Sequence, residues 1–96
     1  MGLKDLFHKS EHVTKDFSVD DIKQGTWVLV KKAEDQPENK SRVLGKTEHT
    51  KSMCGNWFEA GPQNYKGLIT LISGVYATSW HLEELEAISK TKPKNI

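Results

Sequence analysis

Cysteine is nearly missing: Cys54 stands alone in a chain of 96 residues. One thiol forms no intrachain disulfide, and secreted domains of this size usually carry several bridges. The expected setting is therefore reducing and cytoplasmic. Arginine is as scarce. Arg42 is the single guanidinium among 14 cationic residues, which face 13 acidic ones for a net charge of +1. Binders of duplex DNA usually show a clear basic excess and use Arg for bidentate contacts to phosphate and guanine, so bulk attraction to duplex DNA is not the working principle here. Long apolar runs are lacking too. None approaches the roughly 18 residues that mark a transmembrane helix, and no membrane contact is expected. The start, Met1-Gly2-Leu3-Lys4-Asp5-Leu6, has no apolar signal-peptide stretch, and Leu6 stands where an N-myristoylation signal has Ser or Thr. Phosphate-cradling loops are absent. Gly55, Gly61, Gly67 and Gly74 follow neither a Walker-type nor a dinucleotide pattern and mark strand-end turns instead. No cofactor is expected.

What remains is enough to fold. Leu, Ile, Val and Phe make up 22 of the 96 residues, above the roughly one-fifth below which chains tend to stay disordered. The core will be small and the stability modest. Three stretches follow. Residues 1–24 form a helical arm. Leu3, Leu6 and Phe7 fall on one face, giving a short amphipathic helix over about residues 3–12. Phe17 is available to pack on the body, Ser18 and Asp21 make a capping pair for a turn at 19–24, and Gly25 stops it.

Residues 25–89 carry β signals. Thr26-Trp27-Val28-Leu29-Val30-Lys31-Lys32 is branched and apolar, a strand buried on both faces. A polar loop follows to Lys40. Ser41–His49 is a second strand, Thr50–Gly55 a loop, and Asn56–Ala60 a short strand. Gly61-Pro62-Gln63-Asn64 is a turn. Leu68–Ile72 and Val75–Thr78 form a hairpin that breaks at Ser73-Gly74. From residue 80 the pattern turns helical: Leu82, Leu85 and Ile88 share a face, with Glu83, Glu84 and Glu86 early and Lys90 late, as the helix dipole favours. Residues 90–96 are a flexible basic tail.

The lead-in Asp21-Ile22-Lys23-Gln24-Gly25-Thr26-Trp27-Val28 resembles the entry of Src-homology-3-like small barrels. The exit Tyr76–Ile88, with Leu85-Glu86-Ala87-Ile88 at its end, resembles their last strand. The resemblance covers residues 21–88. It implies a mainly β fold, a small five-stranded barrel with a short N-terminal helix and a C-terminal helical turn plugging one end. The acidic, aromatic-rich peptide-binding loop of that family's signalling members is not present. The alternative is an α+β fold, an antiparallel sheet with both terminal helices on one face.

No constellation announces a reaction. His8 and His12 have i, i+4 spacing but no third ligand nearby, and zinc wants three or four, so no metal is expected. Cys54 with His49 or His81 and Glu59 has the residue types of a nucleophile set. A lone Cys beside Met53 is more simply a small buried hydrophobe. The pairs Asp20-Asp21 and Glu83-Glu84 sit where helix starts want negative charge. Aromatics are the surplus: Trp27, Trp57, Phe58, Tyr65, Tyr76 and Trp80 exceed what so small a barrel can enclose. Trp57 and Phe58 are consecutive, so a strand points them to opposite faces. The expected function is a non-catalytic binding module that docks on a larger protein or complex and modulates it. In size and style it resembles the accessory proteins of phages and mobile elements. Its expected contact residues are Trp57, Phe58, Tyr65 and Lys66. The alternative is single-stranded nucleic acid or RNA, with aromatic rings stacking on bases and Lys31, Lys32, Lys46, Lys51 and Lys66 meeting phosphates. No small-molecule substrate is indicated.

Overall fold

Trp27–Val30 forms a strand at the centre of the protein because its side chains alternate cleanly: Val28 and Val30 are buried, while Trp27 and Leu29 are half-covered. The computed structural model describes residues 13–37, 48–63 and 67–93. They are mainly β. The strands are β1 (Val13–Thr14), β2 (Trp27–Val30), β3 (Trp57–Ala60), β4 (Leu68–Ser73), β5 (Tyr76–His81) and β6 (Leu85–Ser89), with one short helix, α1 (Glu48–Met53), between β2 and β3. All pairings are antiparallel. The strands make one unclosed sheet in the order β1-β6-β2-β3-β4-β5.

The register assigns the two faces, because directly opposed residues share a side. One row runs Ile88, Val28, Phe58. With Val30, Ala60, Ile69, Leu71, Trp80 and Leu85 it builds the core, which Ile22 and Met53 complete. Phe17 and Val19 are half-buried and pack against it, so the expected return of Phe17 onto the body is observed. On the other face, the row Val13, Ser89, Trp27, Glu59, Ile72, Ala77 crosses all six strands. The row Ala87, Leu29, Trp57 lies beside it.

The expectation that β2 is buried on both faces is corrected here. Its outer side chains, Trp27 and Leu29, are only partly covered, and the Lys92 ammonium lies over the Trp27 ring at 5.8 Å. The arm's capping pair is present: the Ser18 amide donates to Asp21 Oδ2 at 2.8 Å, starting a single 3-10 turn at Val19–Asp21. Gly25 then takes φ +96°, the left-handed region glycine tolerates, and its amide donates to the Ala60 carbonyl at 2.9 Å. The turn thus aims β2 into register with β3. The expected helix over residues 3–12 lies outside the described residues.

Three expectations change. The stretch from residue 80 to the tail is expected to be helical, but only Leu82–Glu84 makes a 3-10 turn, and Leu85–Ser89 is a strand. Leu85, Ala87, Ile88 and Ser89 are all buried, because β6 lies between β1 and β2 and cannot expose a helix-like polar stripe. The alternative fold with two terminal helices on one face loses its C-terminal helix for the same reason. Of the expected strand 41–49, the described part is His49 with Glu48, and both belong to α1, as do Thr50–Met53 from the expected loop. Thr50 and Met53, three residues apart, are the buried pair of that helix. In the hairpin, Ser73 pairs with Tyr76, so the loop is Gly74-Val75, one residue later than expected. Gly74 has φ +66° and Val75 has no positive φ, matching a turn with glycine at the first central position. β5 then continues to His81, placing Trp80 opposite Ile69.

The turn after β3 is held by a side chain acting as backbone. Gln63 Oε1 accepts the Thr70 amide at 3.0 Å, and Gln63 Nε2 donates to the Thr70 carbonyl at 3.0 Å. Gly61 also donates to that carbonyl at 3.0 Å. Gln63→Ala leaves the Thr70 amide without its acceptor and should cost about 1–3 kcal/mol in urea unfolding. A loss within experimental error would mean that water replaces the amide without penalty.

Candidate functional site

The hairpin β4–β5 is the longest paired unit, with six residue pairs from Leu68–His81 to Ser73–Tyr76. Its base is anchored deep. Trp80 is fully buried, and its indole N–H donates to Thr78 Oγ1 at 2.8 Å. The Thr78 hydroxyl faces the Leu71 carbonyl at 3.4 Å and the Met53 sulfur at 3.5 Å, tying β5 to α1. Its tip is bare. Val75 is 91% exposed and Tyr76 59% exposed. The Tyr76 ring meets the His49 ring of α1 with centroids 4.7 Å apart and planes at 50°. A two-residue turn on a regular ladder thus holds an apolar side chain and an aromatic ring up to solvent, and one flank of that ring is supported.

The expected contact residues divide. Trp57 and Phe58 do point to opposite faces: Phe58 is opposite Val28 in the core row, and Trp57 is opposite Leu29 on the outer face. Phe58 packs against the core, while Trp57 stays half-exposed. Continuing the β3–β4 register from Glu59–Ile72 brings Trp57 level with Gly74, so it sits at the same end of the sheet as the tip. Tyr65 and Lys66 lie outside the described residues. Val75 and Tyr76, the most exposed large hydrophobic residues among the described ones, are not among the expected contact residues. The signal was present in the loop position: a break at Gly74-Val75 puts Val75 at the apex, where no neighbour can cover it.

A polar junction joins the other end of β2 to the turn before β6. Gln36 Nε2 donates to the Lys31 carbonyl at 2.9 Å and to the Glu84 carbonyl at 3.2 Å, and lies 4.0 Å from Cys54 Sγ. Lys31 donates its amide to the Glu84 carbonyl at 3.0 Å. The Glu84 side chain is fully buried, and its Oε1 accepts the His81 amide at 2.8 Å. Burial pushes the Cys54 thiol up from its ordinary value; the Gln36 amide acts the other way, and Glu84 adds to the rise. That direction disfavours the thiolate, the nucleophilic form. The contacts of the Cys54 thiol are the Gln36 amide and the Thr50 carbonyl, not the imidazoles or Glu59 that a nucleophile set would use.

Among the described residues, no group of three or more His, Cys, Asp or Glu is placed to hold a metal ion; His8 and His12 lie outside them. No helix among them is long and apolar enough to cross a membrane. Of the lysines weighed for phosphate contact, Lys32 and Lys51 are exposed and Lys31 is half-buried, while Lys46 and Lys66 lie outside the described residues. Comparison with protein-family models, curated proteins and solved structures finds no match.

Proposed function

We propose that this chain is a non-catalytic binding module that docks on a larger protein through the β4–β5 hairpin tip. The observation that carries the reading is the exposure of Val75 and Tyr76 side by side at a two-residue turn. An aromatic anchor that loses little freedom on binding is the usual composition of an interface hot spot. Trp57 is half-exposed at the same end of the sheet but on its outer face, whereas Tyr76 shares the face of Thr78 and Trp80, so the contact rests on the tip itself. The balanced charge of +1 favours a protein surface over a nucleic-acid backbone. The same reading takes the fold as a Src-homology-3-like small barrel. In support, β6-β2-β3-β4-β5 are five neighbouring strands, and the 3-10 turn Leu82–Glu84 immediately precedes the last of them.

The test is capture from the lysate of the source cells, with and without nuclease and across a salt series. The reading expects a protein that stays bound after nuclease treatment and loses affinity only gently with salt. It also expects capture to be lost with the double variant Val75→Ser, Tyr76→Ser while the melting midpoint holds. Capture that vanishes with nuclease and falls steeply with salt would favour the single-stranded nucleic-acid alternative.

A further inference from the structure

The two edges of the unclosed sheet are treated differently. The described part of β1 is two residues long and runs into Lys15 and Asp16; Lys15 Nζ lies 3.9 Å from Glu86 Oε2. A short edge next to charge is how proteins discourage further strand pairing. β5 has none of these devices. Its six residues, Tyr76-Ala77-Thr78-Ser79-Trp80-His81, include no Lys, Asp, Glu or Pro, and its pairing with β4 runs through six registered pairs without a bulge.

The register also says which backbone groups are spare. Ser73 and Tyr76 close a two-residue loop, and residues flanking such a loop exchange both ladder bonds. Alternation then turns Tyr76, Thr78 and Trp80 inward to β4, and turns the N–H and C=O of Ala77 and Ser79 outward. No backbone hydrogen bond among the described residues reaches those outward groups. Ala77 is itself exposed.

We infer that the free edge of β5 pairs antiparallel with β5 of a second copy of this chain, about a two-fold axis through Thr78. In that register Ala77 of one copy is opposite Ser79 of the other, and each couple exchanges two hydrogen bonds. A self-complementary patch is what a two-fold dimer requires. The strand satisfies the further condition that identical copies not repel: it holds no Lys, Arg, Asp or Glu, and the whole chain carries a formal net charge of only +1. The side chains that line the seam on the outer face, Ala77 and Ser79, are small enough for close approach. This inference goes beyond the partner reading above, since it uses main-chain groups and not the Val75 and Tyr76 side chains.

The experiment is sedimentation equilibrium on the full chain from about 10 μM to about 1 mM, the span in which a small interface associates, with amide exchange followed at both ends of the range. The wild type should double its mass as concentration rises, with the Ala77 and Ser79 amides becoming protected. Ala77→Pro removes an amide that no described residue accepts, and edge strands accept proline there. It should stay folded by circular dichroism and remain a monomer throughout. If that variant does not fold, Ser79→Lys decides, because it sets two like charges on the seam, and it too should be monomeric. A wild type that stays monomeric at the highest concentration overturns the inference, even if it captures an extended peptide from another protein. So does a dimer that a folded Ala77→Pro or Ser79→Lys variant leaves intact.

Discussion

Trp80→Ala should remove about 3–5 kcal/mol of unfolding free energy, the range for truncating a large buried aromatic. Trp80 is the largest of the fully buried side chains and is 0% exposed. It fills the core opposite Ile69, and its indole N–H is satisfied by Thr78. Truncation opens a cavity, and it takes the Trp80 donor away from the Thr78 oxygen. Small domains hold only about 5–15 kcal/mol in total, with the smallest near the lower end, so the variant should retain little stability at room temperature. Urea titration followed by circular dichroism reads the loss directly. A cost below about 1 kcal/mol would mean that Trp80 is not the centre of the core.

Glu84→Ala should cost about 1–3 kcal/mol, the penalty of leaving a partly buried backbone donor without its acceptor. The carboxylate is enclosed and takes the His81 amide at the point where the chain leaves β5. The carbonyl of the same residue receives Lys31 and Gln36. One residue thus fixes the 3-10 turn that swings the chain from β5 to β6. Glu84→Gln keeps an oxygen for the His81 amide and should recover a large part of the loss. Equal losses for the two variants would mean that the carboxylate's charge, rather than its acceptor role, holds the turn.

The elements that could be read from the sequence were those with a dense local signal. Trp27–Val30, Trp57–Ala60 and the hairpin after Gly67 are short, branched or aromatic runs bounded by turn residues, and each is a strand. The capping pair Ser18–Asp21 was visible because its geometry is local. The last strand was misread for a physical reason. Leu82, Leu85 and Ile88 fit a helical period, and a register shift between Leu29 and Val30 breaks strict alternation along β6, so only the neighbours β1 and β2 reveal it as a strand. α1 was invisible because its buried face consists of Thr50 and Met53 alone, too little to set a period. In the candidate site, the split of Trp57 from Phe58 followed from strand alternation. The exposed tip depended on a one-residue shift of the loop, and a one-residue slip moves every side chain to the other face.

The central claim is that Val75 and Tyr76 form a contact surface and not part of the core. It is tested most directly by titrating the captured protein partner with Tyr76→Ala, with the melting midpoint recorded on the same sample. The account predicts binding weaker by about 2 kcal/mol or more, roughly thirtyfold, with a midpoint close to that of the wild type. Unchanged affinity together with a lowered midpoint would contradict it, and would make the Tyr76 ring a structural prop for His49 and α1.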